Sequence, residues 1–116
     1  MSRDYKLYLD DIIDSSHQVL EYTAGYTYDS FVSDRKTYDA VLRNLSIIGE
    51  AVRSIPQEVK DRYPEVEWRL ILGFRNVAIH TYFGLDDRTV WDIVQNKIPI
   101  LLGQARRVLV IEDQTE

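Results

Sequence analysis

Apolar residues recur along this chain at spacings of three and four almost from end to end, which is the period of amphipathic helices. Tyr5, Tyr8, Leu9, Ile12, Val19 and Leu20 share one face of a helix predicted over residues 5–22, with Asp10, Asp11 and Asp14 opposite. Asp4 is placed to cap its start, and Gly25 stands just past its end. Residues 25–31 read as a polar, tyrosine-containing connector. A second helix is predicted over 33–55 and stops before Pro56. Its main stripe runs from Tyr38 through Leu42, Leu45 and Ile48 to Ile55, and Ala40, Ile47 and Ala51 form a second stripe. Two stripes imply two neighbours, or one neighbour and an interface. Residues 57–63 read as a short helix or turn closed by Pro64.

The next helix, predicted over 67–82 and ended by Gly84, is apolar nearly all round. Trp68, Ile71, Leu72, Ile79 and Tyr82 gather on one side, with Leu70, Phe74 and Val77 on the other, so a central position is expected. The last helix starts at Asp86 or Asp87 and runs to about residue 110. Pro99 lies inside it and is expected to kink it or divide it. Residues 111–116 read as a frayed tail. The expectation is an all-α, up-and-down bundle of four long helices plus a short one, in a single domain over 1–116.

Composition narrows the picture. With 116 residues, 45% hydrophobic and 28% charged, the chain is of a folded globular type. No run is long enough to span a bilayer, and the first residues lack the apolar core of a signal peptide, so a cytoplasmic location is expected and no membrane partner. The absence of cysteine removes disulfides and thiolate chemistry. With two histidines only, neither a transition-metal site nor a cofactor is expected. The net charge of −5, from 14 basic and 19 acidic residues, argues against broad nonspecific nucleic-acid binding. Any RNA contact must be local.

Candidate chemistry concentrates in Arg75-Asn76-Val77-Ala78-Ile79-His80-Thr81-Tyr82. On the helical wheel Arg69, Gly73, Asn76 and His80 make one polar stripe, and Arg75 falls in the middle of an apolar face. An arginine there must be paired, with Glu50 as a candidate, or must reach an open cleft. His80 can act as general base or general acid near neutrality. Arg75 can stabilise charge building on a phosphoryl group, and Asn76, one turn before His80, can orient the ring or hold a phosphate oxygen. Five residues separate Arg75 from His80, so they project about 140° apart. A two-fold dimer of facing helices would bring both types of group to one phosphate, and Gly73 would allow a second backbone to approach. Glu50 pairs with Arg53 or Arg75, or belongs to the cleft. Arg69 is an RNA contact or a surface residue. His17 reads as an ordinary surface histidine.

The spacing R-x4-H-x-Y at Arg75, His80 and Tyr82 resembles the signature of HepT-like proteins, a branch of the HEPN superfamily of small helical ribonucleases. Phe31-Val32-Ser33-Asp34-Arg35-Lys36, Leu45-Ser46-Ile47-Ile48-Gly49-Glu50-Ala51, Tyr63-Pro64-Glu65-Val66-Glu67-Trp68-Arg69 and Phe83-Gly84-Leu85-Asp86 resemble further segments in order. The likeness spans roughly residues 5–109. It implies a homodimeric, metal-independent endoribonuclease acting on RNA through Arg75 and His80, with Asn76, Glu50 and Arg69 as auxiliary residues. It also implies the toxin role in a type II toxin–antitoxin pair. The partner would be a minimal nucleotidyltransferase of the MNT type that attaches AMP to Tyr82. The alternative is a non-catalytic helical module binding a nucleotidyltransferase or a nucleotide.

Overall fold

The computed structural model of the chain describes residues 3–81 and 86–114, and within them the backbone is helical with no strand. Helix α1 (Tyr5–Thr23) begins where the Asp4 side chain accepts the Lys6 backbone N–H at 2.9 Å. It ends ahead of Gly25, which adopts a φ of 77° that glycine enters without strain. Residues 25–31 are not all connector, as the sequence suggested. Thr27 and Ser30 cap each other's backbone N–H groups and start α2 (Tyr28–Ser33). That helix holds because Phe31 is fully buried, stacked on Tyr38 at 4.8 Å and tilted against Trp91 at 5.2 Å.

Asp34 caps α3 (Arg35–Ser54), which stops before Pro56 as expected. This helix is the centre of the bundle. It packs on α1 along one side and on the signature segment along another, but of the second stripe Ala51 is buried while Ile47 stands exposed. Helix α4 (Gln57–Asp61) is a single turn followed by the buried Tyr63.

The signature helix is not continuous over 67–82. It forms α5 (Trp68–Leu72) and α6 (Phe74–Thr81), broken at Gly73. The Gly73 N–H is shared between the carbonyls of Arg69 and Leu70, while its own carbonyl accepts from Val77, so the axis bends without a loop. The expectation that this segment is central is also corrected. Among its described residues Ile71, Phe74 and Ala78 are buried, on the side facing the bundle, and Leu70, Leu72 and Ile79 stand exposed. Tyr82 and the Phe83-Gly84-Leu85 stretch lie outside the described residues.

Asp86 caps α7 (Asp87–Asp92), which continues through a π-helical turn at Ile93–Lys97 into α8 (Ile98–Gln114). Pro99 therefore neither ends nor splits the rod. Its ring has no N–H to give and would collide with a carbonyl one turn back in a regular helix. The wider turn just before it, closed by the Ile98 N–H on the Ile93 carbonyl, makes room.

Residues 111–114 are not frayed. Helix α8 runs to Gln114, and Glu112 is buried. Its carboxylate accepts from Tyr5 at 2.6 Å, from Arg62 at 2.5 Å and from the Tyr63 hydroxyl, tying α1, the segment after α4 and α8 together. Chiefly the Arg62 hydrogen bond, helped by both tyrosines and opposed by burial, holds the Glu112 carboxyl down at about 2. Burial first, and then the bond to Glu112, pushes Tyr63 up to about 12. No helix among the described residues is long and apolar enough to cross a membrane.

Candidate active site

Two helices build the site. Glu50 lies on α3 and Arg75 in the first turn of α6, and they form an ion pair of 2.9 Å. Gly49 sets this distance. A Cβ placed there would come within 3.0 Å of the Arg75 backbone nitrogen, 3.1 Å of the Arg75 Cβ and 3.2 Å of the Leu72 carbonyl oxygen. The missing side chain lets α3 meet the signature segment backbone to backbone, so Glu50 reaches Arg75 rather than Arg53. The sequence hinted at this only through a glycine in a helix interior, where glycine is disfavoured by about 1 kcal/mol relative to alanine. The close approach within the chain falls at Gly49, not at Gly73.

Arg75 is not buried in an apolar face. Its side chain is half exposed, because the flank of α6 that it occupies is uncovered. A half-exposed ion pair contributes about 0–1 kcal/mol. Glu50 therefore orients the guanidinium without holding it so tightly that a phosphate could not displace the carboxylate. Asn76 and His80 are exposed on the same helix, and among the described residues their side chains have no hydrogen-bond partner. Arg69 is exposed on α5, one turn before Gly73. The apolar Leu72 and Ile79 flank these groups at 41% and 44% exposure, and Ile47 of α3 adds another uncovered side chain. Alongside runs an open groove between α3 and α6, lined by Asp39, Leu42, Arg43, Ser46, Ala78 and Ile79.

The structure thus brings Glu50 and Arg75 together and leaves Asn76, His80 and Arg69 facing solvent. His17 is exposed on α1, 3.4 Å from Glu21, away from this edge.

The family model "Ribonuclease HepT-like" matches residues 12–108. The chain belongs to the HepT-like ribonuclease family. It is similar to the "Probable ribonuclease HepT" of Thermococcus cleftensis, 40% identical over 93% of this chain and 98% of that one. It is also similar to two candidate RNases of Methanocaldococcus jannaschii. One is 39% identical over 84% of this chain and 80% of its own length; the other is 40% identical over 84% and 89%. No solved structure matches significantly. A HepT-like chain is a ribonuclease, and the acid–base and anion-binding groups exposed on α6 are of the kind RNA cleavage requires.

Proposed function

We propose that this HepT-like ribonuclease is a metal-independent endoribonuclease acting as a homodimer, with Arg75 and His80 as its catalytic groups. The observation that carries the reading is the uncovered flank of α6. Both groups face solvent there, on either side of exposed Leu72 and Ile79. Because they diverge by about 140°, one α6 does not aim both at one phosphate, and a second copy across the apolar side chains would complete the cleft.

In the reaction, one His80 takes the proton of the ribose 2′-hydroxyl as its oxygen attacks the adjacent phosphorus. The bond from phosphorus to the 5′-oxygen breaks, and the protonated His80 of the second copy gives that oxygen its proton. The products are a 2′,3′-cyclic phosphate and a 5′-hydroxyl. Arg75, released from Glu50, donates to the phosphoryl oxygens as charge builds. Asn76 orients the His80 ring or an oxygen of the phosphate, and Arg69 contacts the strand.

We infer further that the chain is the toxin of a type II toxin–antitoxin pair, controlled by a partner nucleotidyltransferase of the MNT type. The Tyr82 hydroxyl would attack the α-phosphorus of ATP, forming a phosphodiester to AMP and releasing pyrophosphate. Tyr82 follows Arg75 by seven residues, so a bound AMP phosphate would compete for the Arg75 guanidinium. The test has three readings: RNA cleavage in EDTA, the mass of the protein in solution, and the mass added by the partner enzyme with ATP. Cleavage that persists in EDTA, a mass of two chains, and an AMP adduct lost in Tyr82→Phe are expected. Chelator-sensitive cleavage sinks the mechanism. A fully active monomer sinks the shared cleft, and an adduct that leaves cleavage intact sinks the control.

A further inference from the structure

Beyond the end of α6 a pair of arginines faces solvent, and among the described residues their guanidiniums donate no hydrogen bond. The Arg88 guanidinium lies 3.8 Å over the Tyr28 ring, and that of Arg35 lies 4.4 Å over the Tyr38 ring. Carboxylates stand next to both in sequence, yet each has other partners. Asp34 accepts from Tyr26 and Thr37, Asp86 from the Thr89 backbone and hydroxyl, and Asp87 from Tyr38 at 2.5 Å. Among the described residues neither Arg35 nor Arg88 forms an ion pair. A ring under one face of a guanidinium fixes its plane and leaves its N–H edge to donate in a set direction.

Their placement follows from the packing. Helices α3 and α6 run antiparallel, since Gly49 meets Leu72 and Arg75 while Leu42 and Arg43 lie beside Ala78 and Ile79. Arg35, Leu42 and Gly49 are seven residues apart in turn and share the stripe of α3 that faces α6. Arg35 therefore lies about 10 Å beyond Leu42 along the axis, past the end of α6 that carries His80. The bond from Tyr38 to Asp87 joins the first turns of α3 and α7, and α7 packs on both α6 and α2, which brings Arg88 to the same end.

An acidic chain cannot hold RNA by its overall field, so it needs local donors with fixed geometry. We propose that Arg35 and Arg88 are RNA-positioning residues that hold backbone phosphates of nucleotides flanking the one cut at His80. This rests on the reading of His80 as the catalytic group. Stacked guanidiniums supply charge and direction where the strand enters the cleft, and their contacts carry no base sequence information.

The experiment is steady-state cleavage of a single-stranded RNA of roughly ten nucleotides, a length spanning one binding surface of this size. Arg35→Gln and Arg88→Gln should each raise KM roughly fivefold to tenfold at moderate salt while kcat at saturation stays near wild type. Each should lower the salt dependence of binding by about one counterion, and Arg88→Lys should restore the salt dependence but only part of the affinity. Arg106→Gln removes the same charge from the same rod about 27 Å away and should leave KM alone. Unchanged KM in both glutamine variants overturns the proposal, as does a fall in kcat at constant KM, or an equal KM rise in Arg106→Gln. Binding of the same RNA to His80→Ala protein separates the two readings. If His80→Ala still cuts while binding weakens in the arginine variants, the catalytic assignment fails and the positioning residues stand.

Discussion

Two arginine–carboxylate pairs divide this molecule by purpose. At one end Arg62, its side chain 50% exposed, meets Glu112 at 2.5 Å with the glutamate side chain 2% exposed, and two tyrosine hydroxyls also donate to the carboxylate. At the α6 edge Arg75 meets Glu50 at 2.9 Å with the side chains 49% and 46% exposed and water free to compete. The chemical groups are the same and the surroundings differ. Stripping a buried carboxylate of its partner costs up to about 3–5 kcal/mol, whereas an exposed pair is worth about 0–1 kcal/mol. The first arrangement fastens helices together. The second keeps a cation oriented yet available.

The largest break in that contrast should come from the exposed edge, in activity alone. His80→Ala is expected to lower RNA cleavage by about two to four orders of magnitude, and Arg75→Ala by about two to three. Chemical denaturation should show both within about 0.5 kcal/mol of wild type, as exposed positions allow. Full activity of His80→Ala would remove it from the mechanism.

The buried end should respond in the opposite sense. Glu112→Ala leaves the Tyr5 and Tyr63 hydroxyls without their acceptor and is expected to cost about 2–4 kcal/mol of unfolding free energy. The enzyme that remains folded should have a wild-type kcat. The pH dependence follows from the shifted groups. Glu112 titrates near 2 in the folded chain and near its ordinary value of 4.5 when unfolded. Its contribution is therefore complete above about 4.5 and is lost as pH falls toward 2. Tyr63, raised from 10 to about 12, stays protonated in the fold after it would ionise in the unfolded chain. Its contribution is complete below 10 and is lost between 10 and 12. Stability measured against pH should lose the acid slope in Glu112→Gln. If the slope persists unchanged, it belongs to other carboxylates.

A smaller effect is expected where the two helices touch. Gly49→Ala gains up to about 1 kcal/mol in helix propensity. It also forces a methyl to 3.0 Å from a backbone nitrogen, an overpacking worth about 1–3 kcal/mol. The net should be a modest loss of stability with a larger loss of cleavage, because the displaced segment carries Arg75. Glu50→Ala should be mildest, changing stability by less than about 1 kcal/mol. Cleavage should fall less than in Arg75→Ala, since the arginine remains and only its orientation loosens. An equal fall would give Glu50 a part in the chemistry itself.

The same contrast explains what could be read from residues alone. Periodicity found α1, α3 and the long C-terminal rod, because long amphipathic stripes and side-chain caps such as Asp4 are local signals. The candidate chemistry came instead from the R-x4-H-x-Y spacing, which sits within one short segment. Helix α2 escaped because six residues carry too little periodicity, and a Thr27–Ser30 cap resembles any polar turn. Glu112 escaped because nothing around it in an acidic tail announces burial. Its partner Tyr5 is 107 residues away. The break at Gly73 and the exposure of Leu72 and Ile79 depend on which face α3 covers, a fact of packing that no helical wheel contains.

The π-helical turn at Ile93–Lys97 has a mechanical consequence. A turn of this kind admits an additional residue without interrupting the rod, so the helical phase after it is offset from the phase before it. Arg88 rides on one side of that offset and Glu112 on the other. Forcing a regular thread there with every residue kept would twist the 17 residues of α8 by about 100° against α7. Glu112 would swing off Tyr5 while Arg88 stayed over Tyr28. The turn works as an index mark on a screw, fixing how the Arg88 end and the fastened end of one helix are clocked against each other.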